Sequence, residues 1–124
     1  MNNKLEFATK MQARTKTFAV QIVKFFGKSP KTDKARVLGR QLLRSGTSVA
    51  ANYRAVCRAK SGADFIHKLG KVVEEADESL LWLELLEDAE ICPAAHVASL
   101  KREADELVRI VQTSLNTAKR NAGR

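Results

Sequence analysis

Between Phe65 and Leu86 the apolar residues Phe65, Leu69, Val72, Ala76, Leu80, Leu83 and Leu86 follow one another in steps of three or four. At about 100° per residue such steps keep all of them on one side of an α-helix, whereas a strand would scatter them over both faces. Ser61, with Asp64 three residues later, supplies a capping-box-like start. The same period returns elsewhere in the chain. Phe7, Met11, Phe18, Ile22 and Phe25 make a first stripe, which Gly27, Ser29 and Pro30 end, so Gly27 to Lys34 reads as a loop. Leu38, Leu42, Val49, Tyr53 and Val56 make a second, with Thr32 or Asp33 as its cap and with Ser45 and Gly46 small enough to let a neighbouring helix come close. Leu100, Ala104, Leu107, Val111, Leu115 and Ala118 make the last, behind Pro93, whose fixed φ suits a first helical turn.

The spacing predicts helices over 5–26, 34–59, 62–89 and 93–119, with the terminal NAGR fraying. Short links make consecutive helices antiparallel neighbours, so the expected fold is all-α, one up-down-up-down four-helix bundle over residues 1–124. Two prolines and six glycines leave long stretches of Ala, Leu, Lys, Arg and Glu, and nothing reads as a strand, a repeat or an interdomain linker. No apolar run approaches the roughly 20 residues that span a bilayer, and the polar start MNNKLEFATK lacks the core of a signal peptide. The expectation is a cytoplasmic protein without a membrane partner. Cys57 and Cys92 lack any CxxC spacing and read as small buried hydrophobes in a reducing compartment.

The net charge of +8 is unevenly placed. Residues 35–60 hold six Lys/Arg and no acid, whereas residues 61–90 hold two against nine. Arg36, Arg40 and Arg44 step by four, and Arg54 and Arg58 return to nearly the same azimuth, opposite the Leu38, Leu42, Val49 face. A basic stripe about 30 Å long, at about 1.5 Å per residue, is the electrostatic footprint of a phosphate-backbone binder. These five arginines are the candidate nucleic-acid contacts. No aromatic residue interleaves with them, so base stacking on single strands is not indicated. The competing structural reading has acidic residues of the third segment, Glu74, Glu75 or Glu78, neutralising the same arginines across a bundle or subunit interface. In that segment Leu81, Trp82 and Leu85 also point away from the core stripe, making its end apolar nearly all round. That girdle is the candidate surface for homo-oligomer formation.

The sequence carries no constellation for catalysis, metal or cofactor. Gly27, Lys28 and Ser29 resemble the end of a phosphate loop, but Ile22 stands where its first glycine belongs. Asp64 and His67 have the spacing of half a di-iron carboxylate site, yet nothing acidic lies three residues before His96. Glu74, Glu75, Asp77 and Glu78 occupy different azimuths and read as a solvated face. Ser45, Ser48 and Ser61 lack a nucleophile-elbow setting. Cys57 stands near Arg58 and Lys60, which would lower its pKa, although packing is the simpler role for it.

From Arg44 to Leu86 the chain reads RSGTSVAANYRAVCRAKSGADFIHKLGKVVEEADESLLWLELL. The RSGTSVAAN run, the RAKS turn, the ADFIHKL helix start and the EADESLLWLELL segment together resemble the four helix bundle protein family. This family includes proteins encoded within intervening sequences of bacterial 23S ribosomal RNA genes, also called S23 ribosomal proteins. With the flanking helices the resemblance covers nearly the whole chain. It implies an antiparallel four-helix protomer, homopentameric assembly and RNA or DNA binding, with no catalytic residue to carry over. A similar branch, the accessory proteins of diversity-generating retroelements, implies a reverse transcriptase as a further partner. The matching positions are Arg44, Ser45, Ser48, Asn52, Arg54, Arg58 and Ser61, then Phe65, Glu75, Glu78, Ser79 and Glu84, which the resemblance casts as fold and assembly residues. Where the family commonly has an acid, often with a glycine, after the Asn, this chain has Tyr53, Arg54 and Ala55 after Asn52, and the segment is more basic for it.

Two functional expectations follow. The first is a non-enzymatic, homo-oligomeric nucleic-acid-binding accessory protein. The second is a structural or adaptor oligomer that binds a protein partner.

Overall fold

The computed structural model describes residues 3–123. Four helices follow one another: α1 (Asn3–Lys28), α2 (Asp33–Cys57), α3 (Gly62–Asp88) and α4 (Ala94–Ala122). There is no strand among the described residues. Each helix lies within three residues of its expected bounds at both ends.

Local chemistry sets the boundaries. The Ser29 hydroxyl donates to the Phe25 carbonyl at 2.9 Å, and Pro30 stops α1 there. Of the two candidate caps for α2, Thr32 serves: its hydroxyl accepts the Ala35 amide at 3.3 Å, while Asp33 stands in the first turn. Ser61 caps α3 by accepting the Asp64 amide at 3.1 Å, and the Asp64 carboxylate accepts the Lys60 amide in return at 3.0 Å. Pro93 is the N-cap of α4 rather than a residue of its first turn, and it offers no side-chain acceptor. Asn121 and Ala122 continue α4 instead of fraying, whereas Arg124 lies outside the described residues.

The helices ring a single core in the order α1, α2, α3, α4, with α1 meeting α4 along the sparsest seam and neither diagonal pair in contact. Phe18, Ile22, Leu42, Val49, Leu83 and Leu107 are fully buried at its centre. At about 25 cal/mol per Å² of apolar surface, burial of such side chains is what holds four individually marginal helices together. α1 approaches α2 closely because Gly46 faces Ile22 and Gly39 faces Phe26; a Cβ at either glycine would come within 2.9 Å of the facing side chain. Gly46 is one of the expected small positions; Gly39 is an addition to them.

Three residues depart from the expected core. Phe7 and Phe65 are 42% and 36% exposed. Both stand in the opening turns of their helices, at the end of the bundle where α2 has stopped at Cys57, so no neighbour remains to cover them. Cys57 is also exposed, in the last turn of α2, while Cys92 is buried; both thiols are free.

Candidate nucleic-acid interface

The outward face of α2 is built by exclusion. Leu42, Val49 and Tyr53 commit one side of the helix to the core, and Gly39 and Gly46 turn the adjoining flank to α1. Arg36, Arg40, Arg44, Arg54 and Arg58 are left on the opposite arc, and all five are exposed. They are not equivalent.

The Arg44 guanidinium donates to Glu75 at 3.3 Å and to Glu78, spanning α2 to α3. The hydrogen bond to Glu78 chiefly raises its pKa, and the fields of both carboxylates add to that. Glu78 in turn accepts the Trp82 indole N–H at 3.3 Å. Arg36, Arg40, Arg54 and Arg58 form no ion pair among the described residues. They make two i, i+4 pairs on the same azimuth, the second lying five helical turns, or about 27 Å, beyond the first. Arg44, held by its carboxylates, and then Thr47 and Ala51 fill the arc between them. Arg36 also sits near the N-terminus of α2, where the helix dipole disfavours positive charge, although Asp33 partly offsets this.

A second clamp of the same design closes the sparse seam. Arg14 of α1 grips Glu103 of α4 bidentately at 2.8 and 2.7 Å and reaches Glu106 at 3.2 Å. The Glu103 hydrogen bonds dominate the rise in its pKa. Both arginine clamps use a Glu pair spaced i, i+3, so each carboxylate pair lies on one helical face.

The outward face of α3 has the opposite sign. Leu81 and Leu85 are 46% and 36% exposed among Glu74, Asp77, Glu78, Glu84 and Asp88. Trp82, expected beside them, is half-buried against its own bundle and turned toward Glu78.

Burial raises the Cys57 thiol pKa by more than Arg58 lowers it, contrary to the activation expected from its basic neighbours. Asp64 binds Lys68 at 2.8 Å and caps α3, and among the described residues no cluster of three or more His, Cys, Asp or Glu is placed to hold a metal ion. An open groove between α1 and α4 is lined in part by Lys24, Phe25, Cys92 and His96, and no hydrogen bond joins Cys92 to His96 among the described residues. No helix among the described residues is long and apolar enough to cross a membrane.

The profile of the 23S rRNA-intervening sequence protein family matches residues 8–113, which takes in the whole of α2 and α3 and most of α1 and α4. The chain belongs to that family. Its fold is also that of a crystal structure of a protein with unknown function from the S23 ribosomal protein family of Bacteroides thetaiotaomicron. The two share 34% identity with a TM-score of 0.79, over 85% of this chain and 97% of the other. No curated protein matches the chain. Membership of the 23S rRNA-intervening sequence protein family accounts for the architecture, while what the protein binds depends on the surfaces that this chain's own residues build on it.

Proposed function

We propose that this protein is a cytoplasmic, non-enzymatic, homo-oligomeric accessory protein that binds RNA or DNA through the phosphate backbone. The observation that carries the proposal is the set Arg36, Arg40, Arg54 and Arg58: exposed, without ion pairs among the described residues, and aligned along one face of α2 and its C-cap. An unpaired guanidinium keeps its donors for a phosphate, which it can grip bidentately, and a row of them releases condensed counterions on binding. Backbone contact implies selectivity by shape rather than base sequence.

The test is binding of a labelled structured RNA and a matched DNA duplex over a salt series, with wild type and an R36A/R40A/R54A/R58A variant whose oligomeric state matches wild type. Each phosphate that the protein no longer neutralises lowers the slope of log affinity against log salt by about 0.9 for duplex DNA. The variant is expected to lose most of the salt dependence. No binding by wild type at low salt would overturn the proposal. The adaptor reading would then lead, supported by the exposed Leu81 and Leu85 among carboxylates.

A further inference from the structure

α1 carries two seams. Met11, Thr15, Phe18, Ile22 and Phe25 face the core in steps of four and three. On the opposite side Thr9, Ala13, Lys16, Val20, Val23 and Gly27 repeat the same alternation, and all six are exposed, Val20 and Val23 at 44% and 49%. Sustained steps of four and three are the pattern by which one helix seats another, and small residues such as Ala13 and Gly27 along the seam permit close approach. Lys16, Lys24 and Lys28 flank the apolar part and form no ion pair among the described residues.

The outer face of α3 is its complement in charge. Leu81 and Leu85 lie there with Glu74 and Asp77, neither of which is in an ion pair among the described residues. The heights also agree. Gly46 lies against Ile22, and Ser45 is bonded to Ser79, so Val23 is level with Ser79 to within about a turn. By the same register Lys16 lies two residues, about 3 Å, short of the level of Glu74, and Val23 and Gly27 lie as far short of Leu81 and Leu85, all within one turn. α1 and α3 point the same way, occupy opposite corners of the bundle and make no contact within one chain.

We infer that the outer seam of α1 in one copy packs in parallel on the Leu81–Leu85 face of α3 in a second copy. The pairing rests on the oligomeric part of the proposed function and specifies its interface. Two α1 faces would oppose lysines and two α3 faces would oppose carboxylates, so charge selects the unlike pairing. A contact between two different patches is heterologous and leaves one free patch of each kind at the ends.

The test uses two variants of exposed residues, V20D/V23D and L81D/L85D, checked for native helicity and melting, with mass measured by light scattering and sedimentation. Each alone is expected to be monomeric at concentrations where wild type assembles, with affinity reduced at least about 100-fold. Mixed one to one they are expected to form a two-chain complex and nothing larger, since each retains only one working face. Charge exchange gives an independent reading: K16E and E74K each weaken assembly about 3- to 10-fold, and K16E/E74K restores it. If wild type assembles and either aspartate variant assembles equally well, or the mixture stays monomeric, this pairing is wrong while the oligomeric reading stands. A wild type that never assembles overturns the oligomeric reading itself.

Discussion

The hydroxyl of Ser79 donates to that of Ser45 at 2.8 Å inside the α2–α3 seam, where both side chains are fully buried. Ser45 donates its own proton to the Leu42 carbonyl at 3.3 Å, so neither oxygen is left without a partner. Two small residues facing each other set how near the two helices stand, and the hydrogen bond fixes their relative height. Loss of the bond and loss of the space should therefore have different consequences. Ser79→Ala leaves Ser45 its carbonyl acceptor and is expected to cost about 1 kcal/mol or less. Ser79→Leu forces the helices apart and is expected to cost about 3 kcal/mol. Urea unfolding of the two variants side by side tests this; equal losses would mean that the seam is not set by side-chain size.

The glycines of α2 make a second contrast. Ala at position 46 would press its methyl on Cγ1, Cγ2 and Cβ of Ile22, a side chain with no exposure and no room to yield. Overpacking of about 1–3 kcal/mol outweighs the roughly 1 kcal/mol gained in helix propensity, so Gly46→Ala lowers the melting temperature. At position 39 the obstacle is the ring edge of the half-buried Phe26, which can turn aside. Gly39→Ala is expected to be neutral or slightly stabilising by the same thermal melt.

Arg44 and Arg40 are neighbours on one helical face with separable roles. Arg44→Ala frees Glu78, the acceptor of the Trp82 indole, and should change tryptophan emission and lower the melting temperature by a few degrees. Arg40→Ala should leave both unchanged and weaken nucleic-acid binding. If Arg44→Ala leaves Trp82 emission unchanged, the clamp does not hold the indole.

Glu90 adopts φ 59°, the left-handed conformation that lets the Ile91 and Cys92 amides both return to the Leu86 carbonyl at 3.0 Å. A side chain there carries a cost that glycine avoids. Glu90→Gly is expected to stabilise the fold by about 0.5–1 kcal/mol in denaturant titration, despite the entropy glycine adds to the unfolded chain.

Burial pushes the Tyr53 hydroxyl up to about 12, with a smaller contribution from Cys57. A folded-state pKa above the unfolded value of about 10 means stability that is complete below pH 10 and lost as pH rises toward 12. Tyr53→Phe, which cannot ionise, should flatten that part of the alkaline stability profile. Phenolate absorbance appearing near pH 10 in the folded protein would contradict it.

The fold was readable because a bundle core obeys the 3.6-residue period: Leu69, Val72, Ala76, Leu83 and Leu86 could be named from spacing alone and are all buried. Period says nothing about where neighbouring helices stop, which is why Phe7 and Phe65 continued their stripes past the packed region. The position of the arginine face was legible from step size. Its division into one clamped residue and four free ones was not, because that depends on which face of α3 turns Glu75 and Glu78 toward α2. The left-handed turn at Glu90 left no trace in the sequence, since the residue that usually marks such a turn is absent there.

The sparse seam between α1 and α4 bears on how the protein behaves at different concentrations. α1 is gripped along α2 by the glycine contacts but meets α4 along the sparsest seam, spanned by the Arg14 clamp, which makes this edge the first to breathe and its amides the first to exchange. The helix that opens most readily is also the one whose outer seam receives a second copy in the proposed assembly. Association would then quieten that motion, and slow amide exchange in α1 would report the presence of neighbours before any change in overall shape.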